Sequence, residues 1–173
     1  MNLIITCARH LESETKQEFI DILEKIGDSE PIISITNMSG ILTAETKLDP
    51  IEVVKRIKEM IKDEPWCIRY CLRIIPIQKV TETDIESIED EILELLKLIS
   101  NEESYRISIE KRNSNISSQE IISRVAKKIK NKVSLEFPDK VVLIEVMGNK
   151  TGIAVVKNTD ILSVEKTKRS LSE

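Results

Sequence analysis

The sequence predicts an α+β protein of two consecutive units, and three observations predict it. Short β-branched runs and amphipathic stretches alternate over the first 80 residues in the order β-α-β-β-α-β. A second series, in the order α-β-α-β-β-β, follows a threonine- and acid-rich link at Thr81-Glu82-Thr83-Asp84. The chain has 173 residues, within the range of one or two ordinary domains, with 40% hydrophobic residues, only 3% aromatic, four Gly and five Pro. That composition excludes collagen-like, proline-rich and disordered classes and predicts a core of branched aliphatics.

In the first unit, placed at residues 1–80, residues 2–7 read as a buried strand. Leu11, Phe19, Ile22, Leu23 and Ile26 then follow helical spacing, and Gly27 supplies the stop. Pro31 introduces a strand at 32–35. The turn Asn37-Met38-Ser39-Gly40 returns the chain through an alternating strand at 41–46. Asp49-Pro50 is an N-cap followed by proline at the first helical position, and Ile51, Val54, Ile57, Met60 and Ile61 give that helix one apolar stripe. A strand at 69–77 closes the series. The pattern matches the split βαβ unit of ferredoxin-like folds, in which two helices cover one face of a four-stranded antiparallel sheet.

In the second unit, placed at residues 81–173, Ile85, Ile88, Ile92, Leu95, Leu96 and Ile99 make a helix whose other face is almost wholly acidic. Residues 105–112 alternate with period two and turn basic side chains outward. Ser117 or Ser118 caps a helix, with Glu120 at the capping-box position. That helix buries Ile121, Ile122, Val125 and Ile129 and exposes Arg124, Lys127, Lys128, Lys130 and Lys132. Strands follow at 133–135, 141–146 and 153–156. The last two flank a glycine-bracketed hairpin loop, Met147 to Gly152, and a short segment at 161–164 ends the series.

Several function classes fall away. No apolar run approaches the roughly 18–20 residues of a membrane helix. The start lacks the basic region and long apolar run of a signal peptide. Three cysteines in a chain large enough to need no staple point to a reducing, cytoplasmic setting and read as three buried thiols. The single histidine, His10, reads as a surface residue, so neither a catalytic triad nor a metal site is expected. There is no dinucleotide fingerprint, P-loop or nucleophile elbow. Ala8-Arg9-His10-Leu11 lacks the glycines of an acylphosphatase cradle. Neither a catalytic residue nor a cofactor is expected.

The positive signal is charge. Residues 1–104 hold 12 Lys+Arg against 22 Asp+Glu, whereas residues 105–173 hold 14 against 8. Arg106, Lys111 and Arg112 lie on one strand and its exit, Asn113-Ser114-Asn115 follows, and Lys150 stands between two glycines. Lys157, Lys166, Lys168 and Arg169 come near the end. Such groups neutralise phosphates and release counterions, which gives affinity that falls steeply with salt. With few aromatics, recognition by shape and backbone is expected rather than stacking across a sheet.

At these residues the sequence resembles a family. The run 105–115, the basic helix, then 138–146 and 152–156 resemble the core of a THUMP domain, an α/β unit of tRNA-modifying proteins that usually follows a ferredoxin-like domain. The chain resembles most the stand-alone THUMP proteins similar to the adaptor for tRNA 4-acetylcytidine formation. It ends about twenty residues after the last matching strand, where the family's catalytic domain has no room. The resemblance implies a non-enzymatic subunit that binds tRNA by its acceptor stem and 3′ end. The partners it implies are tRNA and a separate RNA cytidine acetyltransferase, with neither DNA nor a membrane. The candidate RNA contacts are Arg106, Lys111, Arg112, Asn113, Arg124, Lys128, Lys150, Lys166, Lys168 and Arg169. Two other readings stay open: a protein-interaction module using the acidic surface from Glu82 to Glu94, and a small ferredoxin-like enzyme.

Overall fold

The computed structural model describes residues 1–172 in two units. The first comprises Met1–Pro76 together with the described residues from Thr159 onward, and the second is Ile77–Asn158.

In the first unit, β1 (Leu3–Cys7), α1 (Glu12–Ile26), β2 (Ile32–Ile35), β3 (Ile41–Glu45), α2 (Pro50–Asp63) and β4 (Cys71–Pro76) follow the predicted order. The sheet order is β2-β3-β1-β4, every pair antiparallel. The local signals operate as read. Gly27 terminates α1 in the left-handed region, at φ 116°, and the Asp49 carboxylate accepts the N–H groups of Ile51 and Glu52 at the start of α2. Phe19, Leu23, Val54, Ile57 and Ile61 from the helices meet Leu3, Ile5, Leu42 and Ile74 from the sheet in one core.

The short segment read at 161–164 joins the first sheet as a fifth strand, not the second unit. After residue 158 the chain returns to the first unit, where β9 (Leu162–Ser163) pairs with β4 and α5 (Val164–Ser170) follows. Leu162 and Val164 enter the first core, and Lys168 Nζ donates to the Ile68 carbonyl. The expected division at residue 80/81 therefore differs from the folded one: the last segment belongs with the first unit because its two anchoring aliphatics are buried there.

Asp28 ties this unit together beside the end of α1. Its buried carboxylate accepts from the Thr46 hydroxyl at 2.5 Å and from the Glu30 and Lys47 N–H groups at 3.1 Å. Burial pushes the carboxyl up, but these donors and the Lys47 charge outweigh it and hold its pKa below the usual value. Its stabilisation is thus present above about pH 4 and is lost as pH falls through the lower, folded value. Asp28→Asn is expected to lower stability at neutral pH, and the gap from wild type should shrink on acidification. Urea unfolding at pH 7 and pH 3 checks this, and a gap that widens in acid would contradict it.

In the second unit, β5 (Lys79–Glu82), α3 (Ile85–Leu95), β6 (Tyr105–Arg112), α4 (Ser118–Lys128), β7 (Lys140–Met147) and β8 (Lys150–Val156) form a four-stranded sheet in the order β5-β8-β7-β6. Only the β6–β7 pair is parallel. Three expectations change here. The polar link at 81–84 begins inside β5, an edge strand that exists because it pairs with β8. The six-residue hairpin loop contracts to Gly148-Asn149, since Met147 already pairs with Lys150. The strand at 133–135 reduces to one bridge, Val133 to Tyr105. Ile88, Ile92, Ile121 and Val125 pack on Val142, Ile144, Val146, Ile153 and Val155 in a second core.

Candidate nucleic-acid interface

The parallel pair β6–β7 gives the second sheet an end at which chain exits gather. Register places Arg112, Met147, Lys150 and Glu82 in one transverse row across all four strands. Partners in such a row share a face, so the row is continuous. Lys111 stands one position before it, on the face that carries the helices. Beyond the row, Asn113 takes a left-handed conformation, at φ 53°, which turns the chain out of β6 towards α4. Asn113 is exposed at this exit. The Gly148 N–H closes the corner on the Arg112 carbonyl at 2.9 Å. Ser117 caps α4 by accepting the Glu120 N–H at 3.2 Å, and Asp84 caps α3. The first-turn N–H groups of α4 therefore lie at the same end, where they favour an anion.

The cations of this end are partly engaged. Arg112 forms an ion pair at 2.8 Å with Glu145, whose side chain is 1% exposed. Lys111 Nζ donates to the Ile116 carbonyl at 2.9 Å and braces the β6–α4 connection. Lys150 pairs with Glu82, both well exposed. An exposed pair of that kind contributes at most about 1 kcal/mol, so a phosphate can displace the carboxylate.

The other candidates lie elsewhere. Arg106, six residues back along β6, is roughly 20 Å from Arg112. Its guanidinium donates to the Leu135 carbonyl and to Asn158. Arg124 Nε is 2.7 Å from Glu89 on α3, and together with Lys127 and Lys128 these two line a cavity of about 350 Å³. Lys166, Lys168 and Arg169 are in the first unit, on α5, where Arg169 pairs with Glu165. The ten residues thus divide among separate places, and only Lys111, Arg112, Asn113 and Lys150 share one end of a sheet, Lys111 on one face and Arg112 with Lys150 on the other.

Charge is redistributed in the same way. The second unit, residues 77–158, carries 13 Lys+Arg against 14 Asp+Glu, a net of −1, because α3 folds into it. The charge division at residue 104/105 therefore does not coincide with the division between the two units. What survives is a local contrast, with acidic α3 beside basic α4. The acidic surface is itself partly neutralised, since Glu89 pairs with Arg124 while Glu91 and Glu94 pair with Lys79.

Residues 82–156 match the THUMP domain family model. This segment is a THUMP domain. It begins at the end of β5 and stops at the last residue of β8, so the family match and the second unit nearly coincide. The transverse row and the β6–α4 corner are accordingly features of the THUMP domain. An uncharacterized protein of Methanocaldococcus jannaschii is 27% identical over 158 residues, 88% of this chain and 41% of that relative. Among solved structures, TrmN from Thermus thermophilus aligns with a TM-score of 0.60 at 16% identity, covering 90% of this chain and 45% of its own. PH1313 from Pyrococcus horikoshii aligns with a TM-score of 0.60 at 16% identity, covering 91% and 55%. A 4-thiouridine synthetase solved with RNA and ATP aligns with a TM-score of 0.54 at 14% identity, covering 91% and 42%. At these identities the likeness is one of fold. The chain spans about two-fifths to one-half of the length of these relatives.

Cys7 and Cys71 are buried and Cys67 half-buried, all three free, and burial pushes each thiol up. His10 is exposed. Among the described residues no group of three His, Cys, Asp or Glu could hold a metal, and no helix is long and apolar enough to cross a membrane.

Proposed function

We propose that this chain binds tRNA through its THUMP domain and serves RNA modification as a non-catalytic subunit. One observation carries the reading: the THUMP segment ends its sheet in an edge where Arg112 and Lys150 share one face, Lys111 and the start of α4 lie on the other, and Asn113 stands at the exit between them. Guanidinium, ammonium, amide and helix N–H groups there suit the phosphates and sugars of an RNA end. The acceptor stem and 3′ end are the part of tRNA so held. The first unit, whose strand order β2-β3-β1-β4 supports a ferredoxin-like reading, serves as a spacer. The modification is cytidine acetylation by a separate acetyltransferase to which this chain presents its tRNA.

Filter binding of tRNA at rising salt tests the reading. With three to four phosphate contacts, log affinity should fall against log salt with a slope of about −3. Lys111→Ala/Lys150→Ala should reduce the steepness by about 2. A flat profile, or no binding at low salt, refutes it. The adaptor role is checked by incubating tRNA with acetyl-CoA, ATP and this chain alone, where no acetylcytidine should form.

A further inference from the structure

Between α4 and β7 the THUMP domain displays apolar surface that its core does not use. Val133 is 53% exposed, Leu135 73% and Phe137 84%. These alternate along a short run that is fastened at several points. The Tyr105 N–H donates to the Lys132 carbonyl at 3.0 Å, and the Ser134 N–H to the Tyr105 carbonyl at 2.9 Å. Arg106 donates to the Leu135 carbonyl at 3.0 Å, and the Phe137 N–H to the Ser134 hydroxyl at 3.3 Å. A phenyl ring exposed on a fastened loop costs free energy in water and marks a contact surface.

The charge around it indicates what that contact is. Lys130 and Lys132 are exposed, and among the described residues neither has an ion-pair or hydrogen-bond partner for its ammonium group. Two acids lie near: Glu136 is exposed within the run, and Asp139, which follows it, is occupied by the Ser104 N–H and hydroxyl. A bare aromatic face five to seven residues along the chain from two unpaired ammonium groups matches a nucleobase and its neighbouring phosphates, because stacking tolerates any base while the lysines hold the backbone. A partner protein or a lipid surface would engage Leu135 and Val133 as strongly as Phe137.

We propose that Phe137 is a stacking platform for an unpaired nucleotide of the bound RNA, with Lys130 and Lys132 on the flanking phosphates. This rests on the tRNA-binding reading and adds a subsite at the opposite end of β6, roughly 20 Å from the corner at Arg112. Exposed Lys127 and Lys128, at the end of α4, precede the loop and extend the cationic surface towards it.

The test compares an RNA hairpin bearing a single-stranded overhang with the same hairpin blunt-ended, and places 2-aminopurine in the overhang. Phe137→Ala should weaken binding of the overhang RNA about tenfold and leave the blunt RNA unchanged. Phe137→Leu should lose as much as Phe137→Ala, whereas Phe137→Tyr should retain binding. Quenching of 2-aminopurine should occur with wild type and vanish with Phe137→Ala. Unchanged affinity of Phe137→Ala for the overhang RNA overturns the subsite, and so does an equal loss on both RNAs. Sedimentation with phosphatidylserine vesicles that depends on Phe137 overturns it in favour of a lipid surface. Salt-sensitive binding that ignores Phe137 removes the subsite alone, whereas absence of RNA binding by wild type removes the tRNA reading with it.

Discussion

Replacing Gly40 with alanine is expected to destabilise the first unit by about 3–5 kcal/mol, more than the same change at Gly27, Gly148 or Gly152. Two effects combine. Gly40 has φ +74°, where an L side chain is strained, and a Cβ built there would stand 2.5 Å from the Cys7 carbonyl oxygen. The neighbours cannot retreat without loss. Cys7 donates its N–H to the Gly40 carbonyl at 2.9 Å, and the Gly40 N–H donates to the Glu12 carboxylate at 2.9 Å. That N–H is also the main cause that holds the Glu12 carboxyl below its usual pKa, so the same substitution should let Glu12 titrate higher. Hydrogen exchange of the β1 and β3 amides measures the effect within the unit concerned. A change below about 1 kcal/mol would show that the β2–β3 turn yields far more easily than this bonding implies.

Arg112→Ala should cost about 3 kcal/mol, because it strips the guanidinium from a carboxylate that is 1% exposed while Arg112 itself is only 22% exposed. Arg112→Ala/Glu145→Gln should recover most of that loss by removing the buried charge. The pair joins β6 to β7 at the corner of the proposed interface, so any fall in RNA affinity on losing Arg112 would report a collapsed corner as well as a lost cation. Lys150, whose pair with Glu82 is exposed, is the cleaner probe for that reason. Thermal unfolding of the single and double variants decides it: an Arg112→Ala variant as stable as wild type would mean that the pair is screened by water.

What could be read in advance follows from how local each signal is. Asp49-Pro50, Gly27 and the period-two run at 105–112 act within a few residues, and each lies where the sequence placed it. β5 escaped because Lys79-Val80-Thr81-Glu82 is polar on alternate positions at a sheet edge, and only pairing with β8 makes it a strand. α5 escaped because a Lys- and Glu-rich helix of seven residues has almost no apolar period, its anchor being Val164. For the interface, composition and resemblance point to Lys111, Arg112, Asn113 and Lys150; the transverse row holds Arg112 and Lys150, and Lys111 and Asn113 flank Arg112 along the chain. The scatter of the other six was illegible, since contacts such as Arg124–Glu89 and Lys168–Ile68 join residues more than thirty positions apart. Phe137 was invisible for the opposite reason, as an apolar side chain in a short β-branched run is expected to be buried.

The homecoming of β9 and α5 has a bearing on biosynthesis. Because β9 adds the fifth strand to a sheet begun at Leu3, the N-terminal half of the molecule reaches its finished form only after the THUMP domain has been translated. A ribosome releases the later-starting domain complete while β4 still waits for its neighbour, inverting the usual order in which the earlier domain matures first. A fragment cut at residue 76 would therefore leave the β4 margin bare, inviting the strand-to-strand aggregation that open sheet edges promote.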